Sequence, residues 1–123
     1  MHLNFRILAG LVFCFAVAVC LLPSVARAHA VLLESNPPLN GQVAGPNIPV
    51  RLRFDVRIDA TRSRITLVAP DGSTQALPLD KETTAETLTS QANGLKSGQY
   101  KLRWQVLASD GHLTRGEILF TVV

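Results

Sequence analysis

From Val50 onward apolar residues recur at every second position, with Val50, Leu52, Phe54 and Val56 on one side and Arg51, Arg53, Asp55 and Arg57 on the other. That period belongs to an extended strand with one buried face. Tyr100, Leu102, Trp104 and Val106 repeat it against Lys101, Arg103 and Gln105, and Ile118, Phe120 and Val122 repeat it once more. Between these last two runs Ser109-Asp110-Gly111 supplies a turn. Ile65-Thr66-Leu67-Val68 reads as a shorter strand, stopped by Pro70-Asp71-Gly72-Ser73, where proline presets one turn angle and glycine accepts a positive φ. The chain is then expected to return along Gln75 to Leu79. Leu88 to Ala92 is a further strand candidate, closed by Asn93-Gly94 or by Lys96-Ser97-Gly98. No stretch carries a convincing helical period.

About seven short strands, with turn signals roughly ten residues apart, predict an all-β chain, because strands apolar on one face need a second sheet to cover that face. The expected architecture is an immunoglobulin-like or cupredoxin-like Greek-key β-sandwich or barrel. Trp104 lies on the apolar face of its strand, which makes it core rather than a binding platform. Leu95, Gly98 and Tyr100 have the makings of a corner in which the tyrosine hydroxyl bonds back to nearby backbone.

The first 28 residues follow another pattern. Met1 to Arg6 is positively charged, Ile7 to Leu22 is almost uninterruptedly apolar, and Pro23 and Ser24 break the run before Ala26-Arg27-Ala28. A charged region, an apolar region and a small-x-small site in that order predict a cleaved signal peptide over residues 1–28. The apolar run of about sixteen residues falls short of the roughly 20 that span a bilayer, which argues against a retained anchor. A lipoprotein signal through Cys20 is disfavoured because Val19 stands where a small residue is usual. The working domain is therefore expected to be residues 29–123, exported to the periplasm and not inserted in the membrane.

Removal of that segment changes the composition in ways that bear on function. Both cysteines, Cys14 and Cys20, leave with it, so the mature domain has no disulfide. The 12 basic residues outnumber the 9 acidic ones over the full chain, but Arg6 and Arg27 also leave, and the remainder is nearly neutral. Nucleic acid is excluded as a partner on that balance. Of the three histidines, His2 is lost, and His29 and His112 remain.

Cleavage after Ala28 would make His29 the N-terminal residue. A terminal histidine is bidentate: its free α-amine and its imidazole Nδ1 can close a chelate ring on one metal. The amine, with a pKa of about 7.7–8.0 in simple peptides, gives up its proton when a metal competes for it. Asp110-Gly111-His112 adds an oxygen and a nitrogen from side chains two positions apart, with glycine leaving the approach open. The amine, two imidazoles and a carboxylate form an N3O set suited to tetragonal Cu(II). The bland alternatives are that His29 merely borders a cleavage site and that Asp110-Gly111 is an ordinary hairpin turn followed by His112. Ser109, Asp110 and His112 are also the residue types of a hydrolase triad, but three members within four residues cannot take up triad geometry. Arg51, Arg53, Arg57, Arg62 and Arg64 are interleaved with Asp55 and Asp59, as on a solvated strand face, with anion binding the lesser alternative.

The ordered set of these segments resembles the CopC-type periplasmic copper-resistance proteins across the whole mature chain. It comprises His29-Ala30-Val31-Leu32, Ser35-Asn36-Pro37-Pro38, Val50 to Phe54, Ser63 to Leu67, Gly98-Gln99-Tyr100, Trp104-Gln105-Val106, Ser109-Asp110-Gly111-His112 and Gly116 to Val122. The resemblance implies a cupredoxin-like fold and a Cu(II) site at His29, Asp110 and His112. It also implies a role in copper carriage, buffering or resistance, often near a CopD-type inner-membrane protein. Two departures stand out. The only methionine is Met1, so no methionine-rich Cu(I) site is expected. The glutamate that the family often places two residues after the strand phenylalanine is here Val56, following Asp55. The expectation is a monomeric binding protein rather than an enzyme. The alternatives are a histidine-brace copper oxygenase and a metal-free interaction module.

Overall fold

A computed structural model describes residues 29–81 and 84–123, so the signal peptide expected over residues 1–28 lies outside the described residues. Among the described residues there are eight strands: β1 (Leu32–Asn36), β2 (Gly41–Val43), β3 (Ile48–Phe54), β4 (Ile58–Val68), β5 (Thr74–Leu77), β6 (Thr87–Ala92), β7 (Gly98–Ala108) and β8 (Leu113–Val122). They form two sheets, ordered β1-β3-β6 and β2-β8-β7-β4-β5. Every pairing is antiparallel except that of β2 with β8. The result is the expected all-β Greek-key sandwich. No helix occurs among the described residues.

The alternating residues do what their period requires. Val50, Leu52 and Phe54 of β3 face Leu102, Trp104 and Val106 of β7 and Ile118, Phe120 and Val122 of β8 in one buried core. Phe54 and Trp104 join the two sheets edge to face, with ring centroids 5.1 Å apart. Full burial of one such side chain is worth about 1.5–3 kcal/mol, so this inner layer dominates the folding energy of a chain without disulfides among its described residues. The tyrosine corner is present: the Tyr100 hydroxyl donates to Lys96 O at 2.8 Å.

The strands that differ from expectation are those at edges and irregularities. β4 extends back to Ile58, seven residues before the expected start at Ile65, because a bulge between Asp59 and Arg64 breaks its alternation. Asp59 Oδ1 accepts from Thr61 N–H and hydroxyl, and Ser63 Oγ donates to Asp59 O and accepts from Leu107 N–H, so side chains replace the missing ladder bonds. The turn after β4 follows its sequence, with Gly72 at φ 85° and Asp71 accepting from Ser73.

Candidate metal centre

Three segments meet at the end of the sandwich where β7 turns into β8. The first is the β7–β8 turn itself. Gly111 N–H donates to Ala108 O, Ala108 N–H donates to His112 O, and Gly111 takes a φ of 92°, which only glycine adopts without strain. Within this turn Asp110 Oδ1 accepts from His112 N–H at 3.1 Å and lies 3.2 Å from His112 Nδ1. The bond from the His112 N–H is the main reason the Asp110 carboxyl is held below the usual carboxylate range, with the imidazole contact adding to it. The two side chains are 60% and 41% exposed, open to an incoming ion. Asp110 Oδ2 and His112 Nε2 carry no hydrogen bond among the described residues, so both remain available as donors.

The second segment is the start of the described chain. Ala30 is buried in the core, and its N–H donates to Thr114 Oγ1 at 3.2 Å, two residues beyond His112. His29 is bonded to that same nitrogen through its carbonyl carbon, so it is held at the mouth of the sandwich beside the start of β8, with an exposed side chain. The third segment is the loop after β3. Asp55 Oδ1 accepts from Val31 N–H at 2.8 Å and Asp55 N–H donates to Val31 O at 3.0 Å, while Ser109 N–H donates to Arg57 O. One loop thus holds both the N-terminal segment and the β7–β8 turn.

The structure therefore brings Asp110 and His112 into contact and fixes Ala30, the residue after His29, on Thr114 near the start of β8. Among the described residues, no group of three or more His, Cys, Asp or Glu side chains is close enough to hold one ion. The residue that sequence reasoning missed is Asp55. Val56, noted above as a departure from the family's frequent glutamate, packs against the core, and it is the neighbouring Asp55 that reaches the N-terminal segment. No local pattern marks it, because its partner Val31 lies 24 residues away. Of the interleaved arginines, Arg51, Arg57, Arg62 and Arg64 are exposed; Arg62 pairs with Asp59, Arg51 and Arg53 pair with Glu34 of β1, and Asp55 pairs with backbone.

Residues 32–123 match the family model described as the CopC domain. The chain belongs to the CopC family. Protein YobA from Escherichia coli K12 is 30% identical over 103 residues, covering 81% of this chain and 82% of that protein. The crystal structure of CopC from Methylosinus trichosporium OB3b superposes with a TM-score of 0.68 at 29% identity, over 76% of this chain and 93% of that one. PcoC, a methionine-rich copper resistance protein from Escherichia coli, superposes at 0.63 over 78% of this chain and all of that one. At 24% identity that likeness speaks to the fold. CopC-family proteins are copper-binding resistance proteins and not enzymes, which sets aside the oxygenase alternative.

Proposed function

We propose that residues 1–28 are a signal peptide cleaved after Ala28, and that residues 29–123 are a periplasmic protein that binds one Cu(II) for carriage, buffering or resistance. The ion is cargo, held by the His29 α-amine and Nδ1, the Asp110 carboxylate and the His112 imidazole. The observation that carries this reading is the anchoring of Ala30 on Thr114 beside the preformed Asp110–His112 pair. Among the described residues His29, Asp110 and His112 do not form a closed three-side-chain cluster, so the proposal requires the His29 imidazole to swing onto the Asp110–His112 pair when the ion binds. Nitrogen donors with a single carboxylate suit Cu(II), and the carboxylate offsets part of its charge. Methionine occurs only at position 1, so the proposal includes no thioether Cu(I) site. A monomer handing copper to or from a CopD-type membrane protein completes the reading.

The test begins with N-terminal sequencing of the exported protein, which should start at His29. That protein should bind one Cu(II) with a nitrogen-rich tetragonal EPR signature. Placing a single residue ahead of His29 removes the terminal chelate and should weaken binding by more than the about 10–100-fold that follows loss of a supporting residue. Unchanged affinity in the extended protein would overturn the terminal-chelate site.

A further inference from the structure

The outer face of the five-stranded sheet carries a second cluster of chemistry, separate from the candidate metal centre. A shallow cleft of about 440 Å³ is lined there by Arg64 and Thr66 of β4, Arg103 and Gln105 of β7, and Arg115 and Glu117 of β8. The register explains why these side chains converge. Arg64 pairs with Gln105 and Gln105 with Arg115, so two arginines flank one glutamine in a row across three strands. Thr66 pairs with Arg103 and Arg103 with Glu117 in the next row on the same face. Strands are about 4.8 Å apart, so Arg64 and Arg115 start about 10 Å apart and can close on one ligand from both sides.

The polar groups of the cleft are almost all donors. Guanidinium has five N–H donors and no acceptor. The Gln105 Oε1 acceptor is taken by Arg115 Nε at 2.8 Å, which leaves the amide N–H groups of Gln105 to the cleft. The one carboxylate, Glu117, is shared between Lys101 at 3.5 Å and Arg103 at 3.4 Å. Arg64 has no ion-pair partner among the described residues. On the other sheet Arg51 and Arg53 are matched by Glu34.

We propose that this cleft binds a soluble, multiply charged oxyanion of the phosphoryl class. A carboxylate satisfies one guanidinium fork, whereas a tetrahedral phosphoryl group presents acceptor oxygens toward arginines on three different strands at once. The excess of three guanidinium groups over one shared carboxylate calls for at least two negative charges on the ligand.

The exported protein can be titrated with inorganic phosphate and pyrophosphate at constant ionic strength, following amide resonances by NMR. Saturable shifts centred on Arg64, Arg103, Gln105 and Arg115, tighter with pyrophosphate than with phosphate, are expected. Arg64→Gln and Arg115→Gln should each weaken pyrophosphate binding at least about tenfold, the size of one lost charge-assisted hydrogen bond. Arg51→Gln, on the other sheet, should change it by no more than about twofold, as a screened distant charge would. Thermal unfolding of each variant confirms that it is folded, and an unchanged Cu(II) titration separates this site from the metal centre. Non-saturating shifts would overturn the proposal. So would an equal loss in Arg51→Gln, or binding to phosphatidylglycerol vesicles without binding of pyrophosphate.

Discussion

Asp55 shows how one side chain can hold the segment that leads to the proposed metal site without contributing a ligand. It is exposed, yet its carboxylate and its own N–H clamp Val31 from both sides, two residues downstream of His29. Asp55→Ala removes the carboxylate acceptor and leaves the backbone half of the clamp. A hydrogen bond of this kind is worth about 1 kcal/mol net, so the melting temperature should fall by roughly 4–8 °C in a domain of this size. On the proposed site, copper affinity should fall further, by about 10–100-fold, because the terminal donors would lose their registration with Asp110 and His112. Thermal unfolding and a Cu(II) titration read the two effects separately. If affinity is unchanged while the melting temperature drops, Ala30 and β1 alone position the terminus.

At the scale of the element, the β7–β8 hairpin carries both the inner core layer and the Asp110–His112 pair, and its packing leaves no slack. Gly116 lies opposite Trp104, and a Cβ at Gly116 would overlap the indole carbons Cζ2 and Cε2. Gly116→Ala should therefore force the ring off the core and cost about 1–3 kcal/mol, with a matching loss of the Trp104 near-ultraviolet circular dichroism. Retention of both stability and signal would mean the indole has another resting place. This hairpin was legible in the sequence because both strands alternate cleanly and the turn residues between them are local. So was β3, and so were Asp110 and His112, which are neighbours through the turn alone. β1 was not, because Val31 and Leu33 are half exposed and a bulge against β3 shifts its register. β2 escaped notice as three residues held parallel to β8, and the first half of β4 because its bulge hides the period. Asp55 depends on a partner 24 residues away, which no local pattern reports.

For the whole molecule, acid is the condition under which the surface contacts reveal their worth. Glu34 is held below the usual carboxylate range chiefly by its hydrogen bond from Arg53. Asp59 and Asp71 are lowered mainly by the hydroxyls of Thr61 and Ser73 in their turns. Each such group binds its proton less readily folded than unfolded, so its contribution is fully present above the ordinary carboxylate range and is lost as pH falls through the lowered value. The copper-free protein should therefore keep a level melting temperature near neutrality and lose stability progressively on acidification below that range. The groups are exposed and each contributes little, so the decline should be a gradual slope rather than a single step. Salt separates the two causes. About 1 M NaCl should flatten the part due to the Glu34–Arg53 and Glu34–Arg51 pairs, since the screening length falls to about 3 Å. The turns of Asp59 and Asp71 rest mainly on neutral donors and should keep most of their share, the Arg62 contact of Asp59 being the smaller cause. Glu34→Gln should lower the melting temperature at neutral pH, shallow the acid slope and remove most of its salt dependence. An acid slope that Glu34→Gln leaves unaltered would place the pH response in the turns alone.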